Sequence, residues 1–228
     1  MSQLLDKWHH FEGEALFYYH RIVGRFIRWQ IFNKENLILA QSYNKPILWA
    51  FWHEQLSPFI MYGDRFIGGE NFCLVRLGGD PRGDIILKKL ASKMGGESYG
   101  VDMQGNPVAS GRAVLRVIQA LKAGKQSFLA PDGPDGPAFV PKKGVAFLAK
   151  KAGAVVIPVG AIASPMLHLN RWDKYQLPLP FSKIHFHLGK PLVANRKDDE
   201  ADLLKKITNA LSDIRYQAQD GLNVARWP

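Results

Sequence analysis

The 228-residue chain has one cysteine, Cys73, so it can form no internal disulfide. That cysteine lies in an apolar run, which suits a small buried hydrophobe in a reducing compartment. No run of about 18 apolar residues occurs, which argues against a membrane-spanning helix. The first fifteen residues mix Asp6, Glu12 and Glu14 with His9 and His10 and contain no unbroken apolar segment, so no secretory signal peptide is expected. Neither phosphate-binding fingerprint is met: there is no Gly-x-x-x-x-Gly-Lys-Ser/Thr and no Gly-x-Gly-x-x-Gly after a strand. This argues against nucleotide hydrolysis and dinucleotide cofactors. A Gly-x-Ser-x-Gly elbow is also missing, and with it the usual setting of a serine nucleophile. His185 and His187 stand two apart and His9 adjoins His10, but neither pair has a third ligand near it, so no metal and no bound cofactor is expected.

Acidic residues are also scarce. Thirty Lys and Arg stand against twenty Asp and Glu, a net charge of +10. Such a balance attracts polyanions: nucleic acid, an anionic membrane surface or a phosphorylated small substrate. With no recognition module and no clustered basic tail, nucleic acid is not the expected partner. The hydrophobic fraction of 46% is that of an ordinary globular chain.

Residues 3 to about 32 read as a helix. Trp8, Phe11, Ala15, Tyr18, Ile22, Phe26 and Trp29 recur every three or four positions, with Lys7, Arg21, Arg25 and Arg28 off that stripe. Either the stripe packs on a core, or it lies in the headgroup layer of a membrane. Gly13 and Gly24 are places where the helix could divide. Residues 1–35 are taken as an amphipathic helical arm and 36–228 as a single domain.

After Pro46 the pattern alternates. Apolar strands are expected at 47–51, 71–76, 126–130 and 154–159, with helices at 83–94, 110–123 and 144–152. Gly124 and Gly153 stand at the helix ends. A proline-rich, irregular stretch covers 164–182. A late strand is expected at 184–188, then a helix from about 198 to 216. The fold class that follows is α/β: a largely parallel central sheet with helices on both faces.

The residues best suited to chemistry sit where strands end. His53 directly follows the first buried strand and can accept a proton near neutral pH. Glu54, Asp84 and Asp132 are the carboxylates that could orient it. The loop Pro131-Asp132-Gly133-Pro134-Asp135-Gly136-Pro137 follows another strand; its prolines fix φ and its glycines admit positive φ, which specifies one loop shape. Arg76 to Asp84, with Arg82, and Ser110-Gly111-Arg112 each open a helix beside a cation, as an anion site would. The amides of the 131–137 loop, or those opening the helix at 83, are candidate holders of a phosphate or oxyanion.

In this order the motifs resemble the lysophospholipid acyltransferase-like superfamily, and in particular a bacterial branch known as a domain of unknown function. The matching pieces run from Trp49 to Leu192. They are Trp52-His53, Gly83-Asp84, Ser110-Gly111-Arg112, Pro131-Asp132-Gly133-Pro134, Lys143-Gly144, Ile157-Pro158-Val159, Trp172-Asp173 and Leu177-Pro178-Leu179-Pro180-Phe181-Ser182. The resemblance implies a glycerolipid acyltransferase-like fold. It also implies transfer of a fatty acyl group from acyl-CoA or acyl-carrier protein to a hydroxyl of a lysophospholipid-like or envelope lipid acceptor. His53 matches the histidine that deprotonates the acceptor, Asp132 and Gly133 match an acceptor-binding element, and Arg112 and Lys143 would meet the acceptor phosphate. Apart from the resemblance, the missing signal peptide and the aromatic stripe with its arginines lead to an expected location that is cytoplasmic, peripheral on the inner face of the membrane through residues 1–32. Another transferase of envelope glycolipid synthesis, or a lipid- or carrier-binding relative without activity, are the alternatives. Three departures stand out: Pro58 occupies the position where the superfamily has a carboxylate five residues after its histidine, Asp135 stands where the branch has arginine, and the 97–110 connection is long.

Overall fold

A computed structural model describes residues 2–102 and 106–224. It is a mixed α/β structure around one eight-stranded, mostly parallel sheet with the order β1-β7-β6-β2-β5-β3-β4, where β8 pairs with β6. The strands are β1 (Arg28–Phe32), β2 (Ile47–Ala50), β3 (Phe72–Leu77), β4 (Glu97–Val101), β5 (Gln126–Leu129), β6 (Val155–His168), β7 (Gln176–Leu188) and β8 (Leu192–Val193). The helices are α1 (Ser2–Phe26), α2 (Glu35–Ser42), α3 (Leu56–Tyr62), α4 (Pro81–Met94), α5 (Pro107–Lys122), α6 (Gly144–Ala152) and α7 (Glu200–Asp220).

The apolar run of β2 is buried residue by residue because the sheet is covered on both faces. Trp49 and Phe51 join one core with Phe17 of α1, Phe59 of α3 and Leu90 of α4. Leu48, Ala50 and Trp52 point the other way, onto Val117 of α5, Leu148 of α6 and Leu211 of α7. Local chemistry sets the helix ends. Asp80 caps α4 by accepting from the N–H groups of Arg82 and Gly83, and Gly95 closes it with φ of 82°. Asn106 and Asp199 cap α5 and α7 in the same way.

Four expectations change. The N-terminal helix stops at Phe26, and Arg28–Phe32 forms β1, parallel to β7 with Trp29 opposite Ile184. In Arg28–Phe32, Trp29 and Ile31 turn inward while their neighbours turn out, a period of two that ends the helical stripe. The first 35 residues therefore supply an edge strand and part of one helical layer. Gly13 does not divide α1; it is the crossing point with α4, where a Cβ would lie 2.7 Å from the Ile86 carbonyl oxygen. Third, Glu97–Val101 is a strand, β4, pairing with β3, so the long 97–110 connection is partly sheet. Finally, the proline-rich 164–182 stretch belongs mostly to a long antiparallel hairpin of β6 and β7, with a bulge between Ser164 and Met166.

Candidate active site

β2, β5 and β3 run parallel side by side, so the segments after them meet at one edge of the sheet. His53 opens a short 3-10 turn after β2, and the 131–137 loop follows β5. Asp132 joins the two. Its Oδ1 accepts the His53 backbone N–H at 2.9 Å and its Oδ2 accepts the Phe139 N–H at 3.1 Å. Burial pushes the Asp132 carboxyl pKa up, against those two backbone donors.

The partner of the His53 ring comes from the β6–β7 connection. His53 Nδ1 lies 2.6 Å from Asp173 Oδ2. Trp172 and Tyr175 of the same connection pack their rings near the imidazole, at 5.3 and 6.3 Å between centroids. Burial alone would raise the Asp173 pKa, but the hydrogen bond and charge of His53, helped by the charge of Arg171, hold it below the ordinary value. An ionised Asp173 only accepts, so Nδ1 carries the proton and donates it, and Nε2 is left as the basic nitrogen. Gly133 sits against that edge of the ring: a Cβ there would lie 2.3 Å from His53 Cδ2 and 3.1 Å from Nε2. Only glycine fits.

His53 lines a narrow crevice whose other walls are mostly apolar, among them Phe51, Leu56, Leu74, Leu87 and Phe128. Its free volume is about 20 Å³, so the walls are nearly in contact. Arg76, at the end of β3, also lines a wider polar cleft of about 370 Å³ between α4, β4 and α5, together with Lys88 and Arg116. Arg76 is nine-tenths buried; it donates to the Gly78 carbonyl at 2.6 Å, and its Nε has no hydrogen-bond partner among the described residues.

The other sequence candidates fall elsewhere. Glu54 points away from the imidazole and forms a buried ion pair with Arg215 of α7 at 2.6 Å. Asp84 pairs with Arg76 at 3.3 Å and with Lys88 at 2.6 Å. Neither orients His53, because each is held by a nearer cation. Asp132 is buried, with one oxygen on each of two backbone amides. Arg82 forms a forked pair with Glu12 of α1, and the Ser110 hydroxyl donates to the backbone carbonyls of Asp102 and Asn106. Arg112 and Lys143 are exposed, and neither lines the crevice. The expected amide cradles are occupied. Asp80 caps the start of α4, and three prolines leave the 131–137 loop few N–H groups, of which those of Gly133 and Gly136 bond Ala130 and Asp132 carbonyls. Pro58 is buried in α3, where the structure holds no carboxylate for the ring.

Asp173 lies in the Trp172-Asp173 motif, whose sequence surroundings do not link it to His53. Only the topology, which places the β6–β7 connection over the end of β2, brings it to His53. No three-residue cluster that could hold a metal occurs among the described residues.

No family model matches the chain. It is similar to an uncharacterized protein of Rickettsia prowazekii (strain Madrid E), 29% identical over 209 residues that cover 88% of this chain and 89% of that protein.

Proposed function

We propose that the protein is an acyltransferase, moving an acyl group from a thioester donor, acyl-CoA or acyl-carrier protein, to the hydroxyl of a lysophospholipid-like acceptor. The observation that carries this reading is the His53–Asp173 pair with Nε2 bordering an apolar crevice. In the proposed reaction Nε2 takes the proton of the acceptor hydroxyl. The oxygen attacks the thioester carbonyl, the C–S bond breaks, and the imidazolium returns its proton to the leaving thiolate. Asp173 stabilises the imidazolium that forms in between and holds the ring in the required tautomer. Leu74, Leu87 and Phe128 supply apolar contact suited to an acyl chain. The adjoining cleft holds Arg76, Lys88 and Arg116 together with Asp84 and Asp102, so a donor or acceptor phosphate there would meet Arg116 and compete with Asp84 for Arg76 and Lys88.

Purified protein supplied with acyl-CoA or acyl-carrier protein and a panel of lysophospholipids and lipid A precursors tests the reading by mass spectrometry. Acylated acceptor should form, and donor alone should leave the protein mass unchanged, since the acceptor attacks directly. A protein that gains the mass of an acyl group, or no acylated product with any pair, contradicts it.

A further inference from the structure

The apolar stripe of α1 is turned the wrong way for a core. Trp8, Phe11, Tyr18, Ile22 and Phe26 all face solvent, while the buried side of the helix is Gly13, Phe17, His20, Val23 and Gly24. Phe181 of β7 extends the stripe: its ring packs 5.3 Å from that of Phe26, and Arg28 Nε donates to its carbonyl oxygen at 3.0 Å. These six side chains are between 48% (Phe26) and 64% (Phe181) exposed. Phe181 also holds a φ of 66°, a left-handed conformation that a bulky residue adopts at a cost, so its outward position is imposed on the backbone. A continuous aromatic and aliphatic stripe along a 25-residue helix exceeds the scattered apolar exposure of ordinary surfaces.

The charges of α1 are sorted to match. Its two glutamates are spent inward on α4, Glu12 on Arg82 at 2.8 Å and Glu14 on Lys93 at 2.5 Å. Lys7, Arg21 and Arg25 are exposed, with Arg28 just beyond the helix and Asp6 the one opposing exposed acid on α1. Lys7 and Arg25 are separated by about five helical turns, as are Trp8 and Phe26, so the cations run parallel to the stripe along its flank. Arg21 reaches Asp64 only at 3.9 Å and stays half exposed.

We propose that this face docks on an anionic lipid bilayer, the rings of Trp8, Phe11 and Phe26 entering the headgroup boundary and the flanking arginines meeting lipid phosphates. Aromatic side chains of this kind favour the interface, and net positive charge along the flank selects anionic lipid over a protein partner of undefined charge. The proposal depends on no step of the acyl transfer.

The test uses the full chain and no donor or acceptor, so its failure leaves the acyl-transfer reading standing. Co-sedimentation is measured with vesicles of phosphatidylcholine alone and of phosphatidylcholine with phosphatidylglycerol, at low and high salt. The wild type should bind the anionic vesicles more tightly, and less so as salt rises. Trp8→Ser with Phe11→Ser should weaken binding at least tenfold with an unchanged melting temperature, because both side chains are exposed. Arg21→Gln with Arg25→Gln should abolish the preference for anionic lipid. Unaltered binding in both double variants overturns the proposal. So does a wild type that ignores vesicles and dimerises in solution, with Trp8→Ser/Phe11→Ser restoring a monomer; the stripe would then be an interface between copies.

Discussion

At His53 the chemistry is divided between two carboxylates with opposite settings. Asp173 holds the ring nitrogen and titrates low, while Asp132 holds the backbone and titrates high. Replacing Asp173 with asparagine keeps the shape and removes the charge. We expect turnover to fall on the order of 10²–10⁴-fold with little change in KM, measured by steady-state kinetics. The same variant should change acid stability. Because folding lowers the Asp173 pKa, its contribution is present above the unfolded value near about 3.9 and is lost as pH falls through the lower folded value. Asp173→Asn should therefore flatten the acid limb of a stability–pH curve below about pH 4, as followed by urea denaturation. Gly133→Ala is a second residue-scale test. Its Cβ would overlap the imidazole edge, so His53 must move off Asp173; activity should fall steeply while the melting temperature changes modestly. Of these residues, His53 was legible in the sequence from its place after a buried strand, and Gly133 from its loop. Asp173 was not, since 120 positions separate it from His53 and no local spacing links them.

At the scale of elements, α7 is fastened to the turn that carries His53. Arg215 lies over the Phe139 ring at 4.1 Å and forms the buried pair with Glu54. Phe139 in turn donates to Asp132, so one chain of contacts runs from α7 to the His53 backbone. Arg215→Ala leaves Glu54 charged and buried, which should cost about 3–5 kcal/mol in chemical denaturation; removing both ends with apolar residues should cost less. A difference of less than about 1 kcal/mol for Arg215→Ala would mean the pair is solvated in solution. Strand β2 could be read directly, because burial on both faces leaves an uninterrupted apolar run, and β3 nearly so, with Arg76 its one charged residue; in β5 only Phe128 and Leu129 carry that signature. β1 and the β6–β7 hairpin could not. Trp29 continues the helical spacing of α1 into β1, and the prolines at 165, 178 and 180 look like loop until a bulge and an edge location accommodate them.

For the whole molecule, net charge and aromatic content pointed to an anionic surface, but the direction of the α1 stripe did not follow from them. Periodicity shows that apolar residues share a face; it cannot say whether that face meets the sheet or solvent. Packing decides this. Gly13 and Gly24 let α1 approach α4 and Met61 closely on the face that also buries Phe17, His20 and Val23, which leaves the aromatic stripe out. No helix among the described residues is long and apolar enough to cross a membrane. The sheet edge with His53 and the outward face of α1 belong to the same body, joined through α4, which borders the crevice by Leu87 and carries α1 on its other side.

The most direct measurement of the central claim is acceptor-dependent thiol release from the thioester donor by wild type and by His53→Ala, with circular dichroism confirming that both are folded. The account predicts release by the wild type only in the presence of a lysophospholipid-like acceptor, and a loss of at least about 10³-fold in the variant. Release that persists in folded His53→Ala would contradict it, since among the described residues lining the crevice no other side chain is a base able to take the proton.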